Sequence, residues 1–336
     1  MSIPASIKSL HILCPSWVGD VVMSSCVWRL ARATYPNAKI TLVIRPHLTE
    51  LLEGVDEIDR VLSVDTKKVF TGAQIIKESS ADAILLLPNS FRSAMIAKLS
   101  GTPIRVGYRT AGRNFLLTHA IDLPKQKMPL ATAKYYLNLA CSAFGTKSQD
   151  ATPSIGISNE QERFAKSILR PISAPIVLLV PGASKTKKRW PSEKFAAVAD
   201  AIDADGATCC IVGSPNELSL CKKVQSIANC NIHNLAESGL SLGSLKAIVK
   251  NANLMITNDT GPRHLAVATG TPAITLYGPT DFRWTTHKSH LDIPVLSDPF
   301  LPDHLIADKN ETWCAIEKIP IGDVIALAKK ALNDEH

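Results

Sequence analysis

The chain has 336 residues, 46% of them hydrophobic and 20% charged, and a formal net charge of +7. That length suits about two domains at roughly 150 residues each. Each half is apolar enough to bury a core. No apolar run approaches the ~18 residues a bilayer span needs. Residues 1–8 lack the charged start, apolar stretch and small-residue cleavage site of a signal peptide, so a cytoplasmic protein is expected. The mild positive charge favours an anionic partner and equally describes a solvated basic surface. Aromatic residues make up 5% and are not interleaved with basic ones, which argues against nucleic-acid binding. The eight cysteines show no Cys-x-x-Cys spacing and sit among apolar neighbours, so buried free thiols are expected.

In chain order, residues 10–14 read as a buried strand, 21–35 as a helix, 40–44 and 60–64 as strands, 72–79 as a helix, 83–87 as a strand, 90–99 as a helix and 104–107 as a fifth strand. A helix is expected over 131–144, and the small, polar stretch 145–159 reads as a linker. The pattern then restarts. Strands are expected at 175–180, 207–212, 252–256 and 273–276, and helices at 195–202, 217–227, 242–250, from 265, and over 321–332. Short apolar runs alternating with helical periods imply parallel, doubly wound α/β sheets. The expected domains are 1–158 and 159–336, two Rossmann-like units facing a cleft, with the last helix free to lie back on the first.

Four polar stretches fall where a strand gives way to a loop or helix, the edge at which open α/β sheets bind ligands. Thr257-Asn258-Asp259-Thr260-Gly261-Pro262-Arg263-His264 opens a helix, whose free N–H groups and dipole favour an anion. Pro15-Ser16-Trp17-Val18-Gly19-Asp20 follows the first strand. Asp20 is open to two roles, a helix cap or a general base, and Trp17 to two, cleft wall or core. Lys185, Lys187, Lys188 and Arg189 follow the strand at 175–180 and either neutralise phosphates or form a solvated loop; the stretch lacks Walker A spacing. Glu217, after Gly213-Ser214-Pro215-Asn216, either accepts from a nucleoside or complements a helix dipole. Asn89, Ser90 and Arg92 crown a first-half strand, and Arg92, Arg105, Arg109 and Arg113 either form a basic strip or scatter. No Gly-x-Gly-x-x-Gly follows the first strand and no Gly-x-Ser-x-Gly occurs, so the nicotinamide fingerprint and the hydrolase elbow are missing. Asp203-Ala204-Asp205 reads as a surface turn, and His287 and His290 as lone loop histidines rather than metal ligands.

Four motifs in this order, Pro-Ser-Trp-Val-Gly-Asp at 15–20, Leu-Pro-Asn-Ser-Phe-Arg-Ser at 87–93, Pro-Gly-Ala with Lys-Arg-Trp-Pro at 181–191, and Thr-Asn-Asp-Thr-Gly at 257–261 with His264 and Tyr-Gly-Pro at 277–279, resemble the ADP-heptose:lipopolysaccharide heptosyltransferases. The resemblance runs from about residue 9 to 281, and its first two motifs favour the type II branch. It implies a GT-B fold and inverting, metal-independent transfer of L-glycero-D-manno-heptose from ADP-heptose to the inner-core heptose of lipopolysaccharide. No cofactor is implied.

Carried over by position, the resemblance makes Asp20 the catalytic base. Ser184, Lys188, Glu217, Asp259, Thr260, Gly261 and His264 become donor contacts. Trp17, Asn89, Ser90 and Arg92 are the candidates for the acceptor side. Thr260 stands where serine is common, which keeps the hydroxyl; Arg263 occupies a variable position and is not carried over. A lipid-anchored acceptor implies a protein peripheral to the inner face of the cytoplasmic membrane. The alternatives are a family member with a different acceptor and a non-catalytic sugar-nucleotide-binding module.

Overall fold

The computed structural model describes residues 2–125, 128–298, 300–301, 305–306 and 314–333. The chain divides into two compact units, Met1–Gly156 and Ile157–His336.

In the first unit, β1 (Ser9–Leu13), β2 (Lys39–Ile44), β3 (Arg60–Ser63), β4 (Ala83–Leu86), β5 (Ile104–Tyr108) and β6 (His119–Ile121) form one parallel sheet in the order β3-β2-β1-β4-β5-β6. Its helices are α1 (Val18–Met23), α2 (Ser25–Thr34), α3 (Val69–Ser79), α4 (Phe91–Leu99) and α5 (Thr132–Phe144). The second unit begins with α6 (Asn159–Leu169) and repeats the plan: β7 (Ile176–Val180), α7 (Ser192–Asp203), β8 (Thr208–Ile211), α8 (Leu218–Ile227), β9 (His233–Asn234), α9 (Leu242–Lys250), β10 (Leu254–Asn258), α10 (Gly261–Thr269), β11 (Ala273–Tyr277), β12 (Asp292–Leu296) and α11 (Ile321–Asn333). Its parallel sheet runs β12-β11-β10-β7-β8-β9.

The central strands β4, β7, β10 and β11 are buried along their whole length. Helices cover both faces of a parallel sheet, so such strands read as unbroken apolar runs rather than alternating ones. In the second unit, Val177, Leu179, Ile256 and Ile274 share one core with Phe195, Val198 and Ile202 of α7. Each such side chain contributes about 1.5–3 kcal/mol on full burial.

The expected α/β class with two doubly wound parallel sheets is observed, with local differences. The single helix expected over 21–35 breaks at Ser24, whose hydroxyl donates to the Val21 carbonyl at 2.8 Å. Ser25 at the start of α2 accepts from the Ser154 N–H at 2.9 Å, tying the end of the first unit to its sheet layer. A serine pair of this kind offers the backbone alternatives to a continuous helix. The last helix, expected to be free to lie on the first half, packs on α7, β10 and β11 of its own unit. Its Val324 and Ala328, four residues apart on one face, enter the second core, and Lys329 pairs with Asp205 at 2.8 Å.

Both sheets reverse direction once. The chain builds outward from β1 and returns to place β4 on its other side; in the second unit β7 and β10 stand in the same relation. The crevice beyond the carboxyl ends of such a strand pair is the ligand edge of an open α/β sheet. The loops after β1 and β4 begin at Cys14 and Leu87, and those after β7 and β10 at Pro181 and Asp259.

Candidate active site

At the first unit's edge, α1 starts directly after the β1 loop. Trp17 takes the N-cap position and Asp20 lies in the first turn, so Asp20 is not the cap. Its half-buried carboxylate has no hydrogen-bond or ion-pair partner among the described residues. Burial, with no cation to offset it, pushes its pKa from 3.8 up to about 6. A carboxylate poised there is ionised at neutral pH and still basic enough to take a proton. Trp17 is 71% exposed, so its ring belongs to neither the core nor a packed wall of this unit.

Beside this, a small pocket is lined by Ser16, Arg45, Thr66, Ser90, Arg92 and Ser93 over Leu13, Cys14 and Pro88. Arg45 Nε donates to the Thr66 hydroxyl at 3.1 Å. Ser90 is the N-cap of α4 and accepts from the Ser93 N–H at 3.2 Å. The basic strip does not form as a unit. Arg113 is fully buried and donates to the carbonyls of Tyr108, Pro88 and Ser90. Arg105 binds the carbonyls of Leu116 and Thr102, and Arg109 pairs with Asp122 at 3.2 Å. Arg92 remains exposed at the pocket. Asn89 is engaged inward: its Nδ2 donates to Tyr135 Oη at 2.6 Å and its Oδ1 accepts from Arg113 at 3.3 Å. Arg45 and Thr66 were missed from sequence, although both follow strands (β2 and β3) that end on the same edge.

In the second unit, Asn258 at the end of β10 staples the edge together. Its Oδ1 accepts from the Trp190 N–H at 3.1 Å and its Nδ2 donates to the Pro181 carbonyl at 2.8 Å. Next to it, Asp259 Oδ2 accepts from Lys188 Nζ at 2.9 Å and from the Thr280 hydroxyl at 3.0 Å, and Oδ1 accepts from Arg263 Nε at 3.2 Å. Burial alone would raise the Asp259 pKa; Arg263 and Lys188 outweigh that and hold it below the usual carboxylate range. Arg263 is fully buried, reaches Asp292 at 3.1 Å and the Thr285 carbonyl at 2.7 Å, and lies 5.3 Å from the Tyr277 ring centre. The network therefore orients Lys188 through Asp259 while Arg263 anchors Asp259 from behind.

Thr260 is the N-cap of α10, yet its hydroxyl makes no cap bond and is a buried oxygen without a hydrogen-bond partner. An orphaned polar atom at a helix start suits a missing acceptor or donor from a ligand. Gly261 is the first helical residue and His264 is buried one turn on. Ser184 is exposed on the β7 loop. Glu217 carries the local role: its Oε2 accepts from the Ser214 N–H at 2.9 Å and the Ser214 hydroxyl at 2.7 Å. Its carboxyl also stands where a Cβ on Gly182 would fall, 2.0 Å from Oε1, so the β7 and β8 loops meet there. His287 is not a lone loop histidine: its Nε2 lies 2.7 Å from His264 Nδ1. All eight cysteines are free thiols.

Residues 69–303 match the profile of glycosyltransferase family 9 (heptosyltransferase). The chain belongs to this family. It is 28% identical over 299 residues to lipopolysaccharide heptosyltransferase 2 of Escherichia coli (strain K12), covering 83% of this chain and 85% of that one. Its fold matches the structure of E. coli ADP-heptose lps heptosyltransferase II with a TM-score of 0.83 at 24% identity, covering 97% of this chain and 99% of the other. It also matches a family 9 glycosyl transferase from Veillonella parvula DSM 2008 with a TM-score of 0.86 at 21% identity, covering 99% of each. The GT-B class expected from the motifs is thus the class of the family 9 fold. Among the described residues no helix is long and apolar enough to cross a membrane.

Proposed function

We propose that this family 9 member transfers L-glycero-D-manno-heptose from ADP-heptose to the inner-core heptose of lipopolysaccharide, with inversion and without a bound metal. The observation that carries the catalytic reading is Asp20, an unpaired carboxylate with its pKa raised to about 6 at the switch point of the first sheet. In the proposed step Asp20 accepts the acceptor hydroxyl's proton as that oxygen attacks the anomeric carbon. The C–O bond to the diphosphate breaks on the opposite face, and ADP leaves with the electron pair.

The second unit supplies the donor site. Lys188 and the N–H groups at Thr260 and Gly261 meet the negative charge that builds on the leaving diphosphate, the role a metal plays elsewhere. Ser184, Glu217, Asp259 and His264 complete the donor side. Glu217 and Asp259 act mainly by holding the loops and Lys188 in place. Trp17, Ser90 and Arg92 receive the acceptor, joined by Arg45 and Thr66, with Asn89 supporting the pocket through Arg113 and Tyr135.

The lipid-linked acceptor makes the protein peripheral to the inner membrane face. Phe91 and Phe115, both exposed with ring centres 6.0 Å apart, and Lys98 over the Phe115 ring support contact with an anionic surface. The test is ADP release from ADP-heptose with and without a truncated core acceptor, with mass spectrometry of the product. ADP-heptose that binds without acceptor-dependent turnover would make the protein a binding module instead. Activity lost in excess chelator and restored by a divalent cation would remove the metal-independent mechanism.

A further inference from the structure

The contact between His264 and His287 has a chemical consequence. An imidazole pair joined Nδ1 to Nε2 shares one hydrogen, so one ring must donate and the other accept. Two arrangements satisfy the 2.7 Å contact. If His264 Nδ1–H donates, a neutral His287 must carry its own proton on Nδ1. That nitrogen is buried and has no partner, so the arrangement leaves an orphaned N–H in the interior. If His287 Nε2–H donates, His287 Nδ1 is only a bare acceptor, and His264 carries its proton on Nε2. The second arrangement moves the unpaired N–H to His264 Nε2, which, unlike His287 Nδ1, is not sealed from solvent.

The surroundings bear on the charge of the pair. Burial, followed by Arg263, His287 and Lys188, drives the His264 pKa well below the ordinary range. Burial and Arg263 lower that of His287 to about 3. Both rings are therefore neutral at pH 7. The His287 loop is fixed independently of the imidazoles. Its backbone N–H donates to Asp292 Oδ2 at 3.1 Å, and Asp292 Oδ1 accepts from the buried Arg263 at 3.1 Å. No third His, Cys, Asp or Glu joins the pair in a metal-holding group among the described residues. His264 Nε2 has no hydrogen bond to any described residue, and it belongs to the turn of α10 that begins with the unpartnered Thr260 hydroxyl.

We propose that His287 is a positioning residue whose Nε2–H donates to His264 Nδ1 and fixes His264 as the neutral Nε2–H tautomer, a hydrogen-bond donor for the diphosphate of the bound nucleotide. The inference rests on the donor-site reading above and adds a residue that the motifs did not contain. A neutral donor suits an edge that already holds Lys188 and Arg263, because a third positive charge there would be repelled.

The test uses the full chain labelled with 15N-histidine. Two-bond 1H–15N correlation spectra at pH 7, assigned with His264→Gln and His287→Gln, report the tautomer of His264 in the free protein. The Nε2–H form is expected. The Nδ1–H form, or a charged imidazolium, overturns the proposal. Calorimetry with ADP supplies the second reading. His287→Leu should weaken ADP about tenfold, the equivalent of one hydrogen bond. His287→Gln, whose amide N–H can reach the same acceptor, should stay within about threefold of wild type. Equal affinity in wild type and the Leu variant, or equal loss in Leu and Gln, overturns it. Should the Leu variant fail to fold, the wild-type tautomer and the Gln variant still decide. Both readings need neither heptose nor acceptor. Protein that shows the expected tautomer and ADP affinities but no heptosyl transfer refutes the proposed function alone.

Discussion

Replacing Asp20 with Asn separates catalysis from stability in one variant. The carboxyl pKa rises from 3.8 to about 6 because burial penalises the ionised form. Between those values the native protein holds a proton that the unfolded chain has released. Stability from the neutral carboxyl is thus complete below 3.8 and lost as pH rises through 6. A shift of that size corresponds to roughly 3 kcal/mol carried as destabilisation by ionised Asp20 at pH 8. Asn has nearly the same shape and no charge, so Asp20→Asn should recover up to about that amount at pH 8 and almost nothing near pH 3.5, less the desolvation of its amide. Urea unfolding at the two pH values measures it. Turnover should move the other way, falling about 10²- to 10⁴-fold with loss of the base while ADP still binds. Wild-type kcat/KM should rise with pH through an inflection near 6. A variant no more stable than wild type at pH 8, or one with near-normal ADP release, would refute the reasoning at its root: either the carboxylate is not desolvated, or it takes no proton.

Four further outcomes are expected. Lys188→Ala should weaken ADP binding and turnover together with little effect on stability, whereas Asp259→Asn should also destabilise by about 1.5–3 kcal/mol, because the charge-assisted bonds to Arg263 and Lys188 weaken while Asp292 still pairs with Arg263; ADP calorimetry and urea unfolding of both variants check this. Lowering pH from 7 to 5 should destabilise the protein, since the unfolded chain protonates its histidines below 6.5 while folded His11 and His287 stay neutral until about 4 and about 3; each contributes a loss of roughly 2 kcal/mol by pH 5, partly offset by protonation of Asp20, as read by urea midpoints across that range. Arg45→Ala or Arg92→Ala should raise KM for the acceptor and leave KM for ADP-heptose unchanged, which steady-state kinetics with each substrate varied will show. Gly156→Ala should lower the melting temperature sharply, because its Cβ would fall 1.6 Å from the Gly54 carbonyl oxygen, a backbone atom that cannot swing aside.

The sheets were legible in the sequence because the central strands are buried on both faces and therefore appear as short apolar runs. The edges were not. β12 contains Pro294, which argues against a strand in the interior of a sheet, yet β12 sits at an edge and, among the described residues, pairs with β11 alone. β9 has two residues and β6 three, too short for any periodicity to register. Helix α6 was not read from the sequence: the linker was placed over 145–159, and no element was assigned between it and the strand at 175–180. A signal was present: Ser158 with Gln161 three residues later is a capping box, and both of its hydrogen bonds form, at 3.3 and 3.2 Å.

At the site, the legible residues were those that follow a strand directly, since a parallel sheet puts every such loop on one edge. Asp20, Asn89, Lys188 and Asp259 could all be found that way. What a strand-end rule cannot supply is the partner brought in from elsewhere in the chain. Arg263 was set aside as a variable position and is the buried anchor of Asp259. Arg113 read either as part of a basic strip or as a scattered surface arginine, and it is buried and spent mainly on backbone carbonyls. His287 lies 23 positions from His264 in a loop without periodicity.

These unread partners share a function. Asp259 stands between a fully buried cation, Arg263, and a second one, Lys188, whose side chain is 18% exposed. Arg263 also touches Asp292, which holds the backbone of His287, which in turn touches His264. One buried guanidinium thus connects, through Asp259, to a cation and, through Asp292 and His287, to an imidazole. Preorganised groups of this kind stabilise developing charge without reorganising during the reaction, which is where most electrostatic catalysis resides. Removing Arg263 should therefore disturb both arms at once. Arg263→Met, with similar volume and no charge, should lower ADP affinity by more than Lys188→Ala or His287→Leu alone. A smaller effect than either would mean that the two arms are positioned independently of the guanidinium they share.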